Sequence, residues 1–201
     1  MTDARALLAG HASDVAPLLL GGIVTSRVDG RRVSVRLTEV EAYGGEGEDP
    51  GSHAFRRQTA RNASMFGPGG RAYVYFTYGM HWCLNVVTCP EGSAGAVLLR
   101  AGEVIEGIDV ARGRRATASS DRDLARGPAR LTMALGVTGG VDGTNMLAPR
   151  SPLRLSVGEP VPMDAIGISA RTGVGGAGAA TPWRFFLRGE PSVSPYRKAA
   201  S

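Results

Sequence analysis

Lysine is nearly missing from this chain of 201 residues, because Lys198, close to the C-terminus, is the only one. Arginine therefore carries almost all of the positive charge, and Lys and Arg together number 23 against 18 Asp and Glu, a net charge of +5. An excess of this size fits a polyanionic partner, although solubility alone is a sufficient reason for it. The arginine bias fits bidentate phosphate contacts, and equally a bias in coding.

Cysteine and long apolar runs are also scarce. Cys83 and Cys89 are the only cysteines, and neither has the CxxC or histidine-rich surroundings of a metal site, so we expect two buried, reduced thiols. No apolar segment approaches the roughly 18–20 residues that cross a bilayer, and no charged leader precedes an apolar run. These features predict a protein without membrane association that is cytoplasmic, or nucleoid-associated if prokaryotic.

No Pro-rich or Ser-rich linker divides the chain, so its length predicts one domain with a substantial core. We place that domain at residues 1–195 and expect the tail, 196–201, to be disordered. The spacing of apolar residues predicts strands at 23–28, 31–43, 73–76, 81–88, 94–101, 153–157, 166–171 and 183–188. It predicts helices at 4–8, 15–20 with Asp14 as N-cap, 103–115, and 128–135 with Gly136 as its end.

Aromatic residues are few but concentrated. The chain has five Phe, five Tyr and two Trp, and eight of these twelve lie between positions 43 and 82. The stretch YVYFTYGMHWCLN, residues 73–85, predicts a β-hairpin in which Tyr73 and Tyr75 share a face and Tyr78 lies near the exposed tip. Stacking rings beside a projecting ring suit unstacked nucleic-acid bases. Tyrosine is also an ordinary residue of half-buried strands, so both interpretations stay open.

The long strand 31–43 ends in carboxylates. Its apolar face carries Val33, Val35 and Leu37. Continued in register, this face receives Glu39 and Glu41, unless a bulge reverses the faces. The apolar strand 94–101 contains one cation, Arg100, and an arginine in such a strand usually holds a carboxylate or a ligand. Glu41 is therefore its expected partner.

The charge changes sign along the next segment. The loop 44–51 is rich in glycine and acid, and we expect it to be a flexible surface segment. The segment that follows mixes cations with neutral donors, as phosphate-binding surfaces do, whereas a solvated basic loop is the plainer alternative. Its charged and titratable residues are His53, Arg56, Arg57 and Arg61. Arg57 and Arg61 are the candidates for contacts to a DNA backbone.

Several motifs share one order along the chain: EVEAY at 39–43, His53, RQTARN followed by Met65-Phe66, YVYFTYGM with Cys83 and Asn85, and VLLRA. In this order they resemble the alkyladenine (3-methyladenine) DNA glycosylase family from about residue 20 onward. The resemblance implies an α+β (mixed α/β) fold, a single compact domain with a curved antiparallel sheet, flanking helices and a protruding β-hairpin that enters the minor groove. It also implies removal of alkylated or deaminated purines.

The resemblance assigns roles position by position. Glu41 corresponds to the general base that activates water, and Arg100 to the residue that helps hold that water and the carboxylate. The other assignments are Tyr43 and Tyr75 as the rings that sandwich a flipped base, His53 as a pocket wall, Asn85 as the amide opposing the exocyclic amino group of guanine, the backbone near Val174 as part of the water site, and Tyr78 as the intercalating wedge. His81 and Trp82 replace other aromatic residues of the family.

The scarcity of lysine bears on whether such an enzyme could also cleave the DNA strand. A glycosylase that also cleaves the strand needs an amine nucleophile, and the chain offers only Lys198 and no proline after Met1, so we expect a monofunctional enzyme. We expect duplex DNA with damaged purines as partner, a monomer, and neither a metal nor an organic cofactor. Two alternatives stay open. One is a single-stranded nucleic-acid binding module, since RAYVYF resembles the aromatic strand of an RNA-recognition motif, and the other is a catalytically silent damage sensor.

Overall fold

A computed structural model describes residues 3–199 of the chain. Its strands are β1 (Ile23–Val28), β2 (Arg31–Tyr43), β3 (Ala72–Thr77), β4 (His81–Val87), β5 (Ala96–Glu106), β6 (Leu153–Ser156), β7 (Ile166–Ser169) and β8 (Arg184–Leu187). Its α-helices are α1 (Ala4–Leu8), α2 (Ala12–Leu18), α3 (Ile108–Arg114) and α4 (Pro128–Leu135). The strands form one antiparallel sheet in the order β3-β4-β5-β2-β1-β6, and β8 pairs with both β2 and β7. The α+β fold in one compact domain is confirmed.

Both predicted hairpins form, and residues with positive φ make their turns. Asp29 (φ 53°) and Gly30 (φ 70°) connect β1 to β2, as two-residue hairpins with the twist of their strands require. In the second hairpin Thr77 pairs with His81, and Tyr78 (φ 51°) and Gly79 (φ 65°) take the left-handed conformation between them. Because β3 is an edge strand, this hairpin lies at one edge of the sheet.

The two faces of the sheet carry different apolar clusters. The larger cluster includes Val40 and Val74 and packs against α2 and α4, whereas the smaller one includes Tyr73, Met65 and Ala96. Tyr73 and Val74 are neighbours in β3, and neighbouring residues of a strand point to opposite faces of the sheet. The two clusters therefore lie on opposite faces. The face with the smaller cluster is called the pocket face below.

Two predicted helices differ from the structure. Helix α2 begins at Ala12, because the ring of His11 accepts the N–H of Ser13 at 3.3 Å, so Asp14 is a residue of the first turn and not the N-cap. The predicted helix 103–115 was wrong at its start. Strand β5 continues to Glu106, since it pairs along β2 as far as Ser34, and the helix begins only at Ile108.

The acid-rich loop is only in part a surface segment. Asp49 is buried and forms an ion pair with Arg171, so the interpretation of 44–51 as a surface loop was wrong at this residue. At the other end of the chain, the N–H of Gly173 donates to the carbonyl of Arg197, beyond the expected domain boundary. No helix within residues 3–199 has the length and apolarity to cross a bilayer.

Candidate active site

A cavity of about 400 Å³ opens on the pocket face, next to the β3–β4 hairpin. This volume lies within the range of about 300–1,000 Å³ that is usual for small-ligand sites. Seven of the ten predicted site residues line it: Tyr43, His53, Tyr75, Tyr78, Asn85, Arg100 and Val174. Glu41 lies just behind the wall, and Arg57 and Arg61 lie outside it.

An irregularity in β2 places Glu39 and Glu41 on the pocket face. Val35 and Leu37 belong to the large core, but the next core residues of the strand are Val40 and Ala42, so the core positions change from odd to even. The pairing of β2 with β5 shifts at the same place, between Leu37 and Val40. The regular alternation is therefore interrupted at this place, and the odd-numbered side chains that follow, Glu39 and Glu41, lie on the pocket face.

Glu41 is fully buried and is held by three donors. The Tyr43 hydroxyl donates to Oε2 at 3.0 Å, Arg100 Nη1 donates to Oε2 at 3.3 Å, and the N–H of Thr172 donates to Oε1 at 2.6 Å. All three donors belong to residues that line the cavity. Burial raises the pKa of Glu41 above its ordinary value, and the three donors only partly oppose this effect.

Glu39 has a different environment, although it is equally buried. Arg100 Nε and Arg184 Nε donate to its Oε1 at 2.9 and 2.7 Å. The N–H of Ser194 donates to Oε2 at 2.7 Å. Burial alone would raise the pKa of Glu39, but the two guanidinium charges and these hydrogen bonds outweigh it and hold the pKa below its ordinary value. Glu39 is thus the more acidic of the two carboxyl groups, and Glu41 is the more basic.

Tyr43 is supported from behind by a buried cation. The guanidinium carbon of Arg171 lies 4.6 Å from the centroid of the Tyr43 ring. Arg171 does not line the cavity, whereas Tyr43 does, so the arginine covers a part of the ring that does not face the cavity. Arg171 in turn donates to both carboxylate oxygens of Asp49 at 2.6 Å and to the carbonyl of Ala42 at 2.9 Å.

The hairpin supplies further aromatic rings of the lining. Tyr73 and Tyr75 have ring centroids 5.4 Å apart, and the His53 ring packs edge-on against Tyr75 at 4.5 Å. His53 Nδ1 and the Tyr73 hydroxyl share a hydrogen bond of 2.9 Å. Partial desolvation by these neighbours and the charge of Arg61 hold the pKa of His53 below its ordinary value, although the residue as a whole is exposed.

Asn85 and Val174 complete the lining. Asn85 is buried and uses its Nδ2 to donate to the carbonyl of Tyr73 at 3.0 Å, which fixes the orientation of the amide. Val174 follows Thr172 in the loop after β7, and it is the N–H of Thr172 that contacts Glu41. This loop therefore touches both the carboxylate and the cavity.

The tip of the hairpin is exposed. Tyr78 is 84 % exposed and stands at the mouth of the cavity. Arg61 lies next to the hairpin, since its Nη2 donates to the carbonyl of Phe76 at 3.1 Å and its guanidinium lies 6.0 Å from the Tyr75 ring. Arg57 is exposed, and its carbonyl accepts a bond from Asn62, which also holds the carbonyl of His53.

A sequence model of the family described as methylpurine-DNA glycosylase matches residues 6–191. This chain belongs to that family. Its relatives include proteins named "Putative 3-methyladenine DNA glycosylase" in Streptomyces avermitilis, 54% identical over 96% of this chain and 91% of the relative, and in Leifsonia xyli subsp. xyli, 55% identical over 92% and 88%. A relative of the same name in Burkholderia lata is 44% identical over 94% and 89%.

Sequence reasoning assigned no site role to three residues that surround this candidate site, Asp49, Arg184 and Ser194, and each contacts a charged group behind the cavity. The N–H of Thr172 belongs to the segment around Val174 that the resemblance assigned to the water site, but Thr172 itself was not named. The one signal for Arg184 is that it is a cation at the start of an otherwise apolar strand, as Arg100 is in β5. Within residues 3–199, no group of three or more His, Cys, Asp or Glu side chains has the arrangement of a metal site.

Proposed function

We propose that this DNA glycosylase removes alkylated or deaminated purines, such as 3-methyladenine, 7-methylguanine or hypoxanthine, from duplex DNA and leaves an abasic site. The observation that carries the proposal is the buried carboxylate of Glu41 behind a cavity of about 400 Å³ with an aromatic wall. A buried, raised-pKa acid next to a cavity is the usual arrangement of a general base.

Among the described contacts, one acceptor position of the Glu41 carboxylate has no protein donor. A carboxylate has about four lone-pair sites, and the donors from Tyr43, Arg100 and Thr172 occupy three of them. A water at the fourth site would donate its proton to Glu41 as it attacks the sugar carbon. The departing base leaves an oxocarbenium-like sugar, which a nearby carboxylate also stabilises.

The aromatic wall supports binding of a single extruded base. Tyr43 and Tyr75 both line the cavity, and burial raises the pKa values of both phenols, so they are neutral rings at physiological pH. Purines alkylated at N3 or N7 are cationic and stack favourably on electron-rich rings. Such bases also leave the sugar readily, whereas a neutral base such as hypoxanthine must first be protonated.

Extrusion of the base requires something to occupy the gap in the duplex. Unstacking one nucleotide costs a few kcal/mol, and an exposed ring that enters the stack offsets part of this energy. Tyr78 is 84 % exposed beside the cavity mouth and is the side chain proposed for this role. Arg57 and Arg61 are proposed to hold the backbone near the hairpin.

Glu41→Gln tests the chemistry. The protein is incubated with a duplex that contains one methylated purine or hypoxanthine, and free base and alkali-labile sites are quantified. We expect release to fall by about 10²–10⁴-fold, the usual contribution of a general base, with DNA affinity kept. Glu159→Gln, at an exposed glutamate, is the matched control and should behave as wild type.

Three outcomes would contradict parts of the proposal. Release that persists in Glu41→Gln would remove Glu41 from the role of base. Strand cleavage without alkali would refute the monofunctional assignment, which rests on Lys198 being the only lysine. A wild-type protein that binds the damaged duplex but never releases a base would instead support a damage sensor.

A further inference from the structure

Glu39 has no part in the chemistry proposed above, yet it accepts four hydrogen bonds, one more than Glu41. Two guanidinium groups, one hydroxyl and one backbone N–H donate to it, at distances from 2.7 to 2.9 Å. It is fully buried, and of its donors only Arg100 lines the cavity, whereas all three donors to Glu41 belong to lining residues. Any effect of Glu39 on the reaction must therefore pass through a neighbouring residue.

That neighbour is Arg100, whose three nitrogens have three different partners. Nε donates to Glu39 at 2.9 Å, Nη1 donates to Glu41 at 3.3 Å, and Nη2 donates to the Ser194 hydroxyl at 3.4 Å. The shortest of these bonds is the one to Glu39. Because a guanidinium is planar and rigid, holding Nε and Nη2 in place also fixes the direction in which Nη1 points.

Glu39, Glu41, Arg100 and Arg184 form one group of charged side chains. It contains two carboxylates and two guanidiniums, and Arg184 bonds to Glu39 but not to Glu41 among the described contacts. Glu39 therefore shares the charge of Arg100 with Glu41, and Glu41 receives the longer of the two bonds. An arginine that served Glu41 alone would stabilise its ionised form more strongly and weaken it as a base.

We propose that Glu39 is a positioning residue for the reaction, which fixes Arg100 against Glu41 and engages enough of its charge to leave Glu41 a competent base. This inference rests on the proposed role of Glu41. The arrangement resembles other sites in which two nearby acids have opposite environments and divide the tasks between them. Here one acid stays charged and orients the arginine, and the other accepts the proton.

The prediction concerns pH, so every charged or titratable group around Glu41 matters. Those groups are Arg100 on β5, Arg184 opposite Glu41 on β8, Arg171 after β7, Tyr75 on β3, Cys83 on β4, and Tyr43 and Glu39 on β2 itself. Of these, Glu39 is the other carboxylate, and its negative charge contributes to the raised pKa of Glu41. Removing that charge should lower the pKa of Glu41.

The test is the single-turnover rate of base release from a 7-methylguanine duplex, measured against pH for wild type, Glu39→Gln and the control Glu159→Gln. This substrate is already cationic, so the acid limb reports the base and not protonation of the purine. We expect the acid limb of Glu39→Gln to move to lower pH by on the order of one unit. We expect its plateau to fall about 10- to 100-fold, because Arg100 is no longer held.

A purely structural role predicts something else. Loss of stability lowers the melting temperature and the active fraction, but it leaves the acid limb of the active molecules where it was. An unmoved limb in folded Glu39→Gln would therefore overturn the proposal. Rates are measured below the melting midpoint of each variant and normalised to the fraction that binds an abasic-site duplex.

Glu39→Asp keeps the test decisive if Glu39→Gln does not fold. Aspartate retains the charge but is one methylene shorter, so it cannot reach Arg100 and Ser194 together. We expect a wild-type acid limb with a lowered plateau, and a wild-type plateau would overturn the proposal. If Glu41→Gln remains active, the proposed function itself has failed. If Glu41→Gln is inactive and the Glu39 variants behave as wild type, only the present inference has failed.

Discussion

Replacing Arg171 with methionine is expected to destabilise the fold more than removal of any surface arginine. The Arg171 and Asp49 side chains are both fully buried, and two bonds of 2.6 Å join them. In Arg171→Met the Asp49 carboxylate keeps only the N–H groups of Gly44 and Gly51, at 3.0 and 2.9 Å. A buried carboxylate would then lack a counter-ion.

Breaking a buried ion pair from one side usually costs about 3–5 kcal/mol, since the other charge is left unpaired. A chain of this size loses about 2–4 °C of melting temperature per kcal/mol, so the expected loss is roughly 6–20 °C. The double variant Asp49→Asn with Arg171→Met removes the stranded charge, and we expect it to recover about 0.5–3 kcal/mol as coupling energy. Denaturant unfolding gives the free energies and thermal unfolding gives the melting temperatures, both monitored by circular dichroism.

Arg112→Met is the matched control, because Arg112 also makes a bidentate pair, with Asp121 at 2.9 and 2.8 Å, but at an exposed site. It should lose far less stability, since water and salt screen an exposed pair. The reasoning is refuted if Arg171→Met loses less than about 1 kcal/mol. It is also refuted if the double variant is no more stable than the single one.

The same pair has a defined pH dependence. Burial alone would raise the pKa of Asp49, but the hydrogen bonds and charge of Arg171 and the two N–H groups hold it below the ordinary value of 3.8. Because the pKa is lowered, the contribution of the ion pair to stability is complete above the ordinary pKa of aspartate. It is lost as the pH falls through the pKa of Asp49 in the folded protein. In Arg171→Met burial should instead raise the pKa of Asp49, so the difference in stability between wild type and variant should shrink as the pH falls, beginning above pH 3.8 where the variant's Asp49 takes up its proton.

Two further predictions concern DNA. Tyr78→Ala should weaken retention of the extruded base without abolishing single-turnover release, and the weaker retention is seen as a smaller change in the fluorescence of a reporter purine. Normal retention together with normal release would contradict the role of Tyr78 as a wedge. Met163→Ala, at another exposed apolar residue, is the control. Arg61→Gln should reduce the slope of log affinity against log salt by about 0.9, the value for one phosphate contact. Arg154→Gln should not, because Arg154 lies on β6 at the opposite edge of the sheet from the hairpin, and an equal effect would refute the assignment.

The hairpin could be predicted from sequence because its signals are local. Alternation along Tyr73 and Tyr75 gives the face, and Gly79 permits the turn that exposes Tyr78. The bulge in β2 was left open, although the sequence contains a sign of it. Val33, Val35 and Leu37 occupy odd positions, while Val40 and Ala42 occupy even ones, and a strand can bury both sets on one face only if its regular alternation is interrupted between them.

The start of α3 could not be predicted because tertiary pairing overrides local propensity. Residues 103–106 have the charge pattern of a helix, but Glu103 and Glu106 make ion pairs with Arg36 and Arg32 across the sheet. Those partners lie about seventy residues earlier in the chain, at a separation of 67 for the first pair. A local window contains neither of them.

Long separation also explains why the charged groups behind the cavity were missed. Arg171 is 122 residues from Asp49, and Arg184 is 145 residues from Glu39. Composition does not show which arginine pairs with which acid. Burial limits the possible pairings, because an acid buried in an apolar sheet requires a cationic partner from another element. The predicted pairing of Glu41 with Arg100 followed from this rule. Applied to Glu39, the same rule calls for a second buried cation, and β8 supplies it.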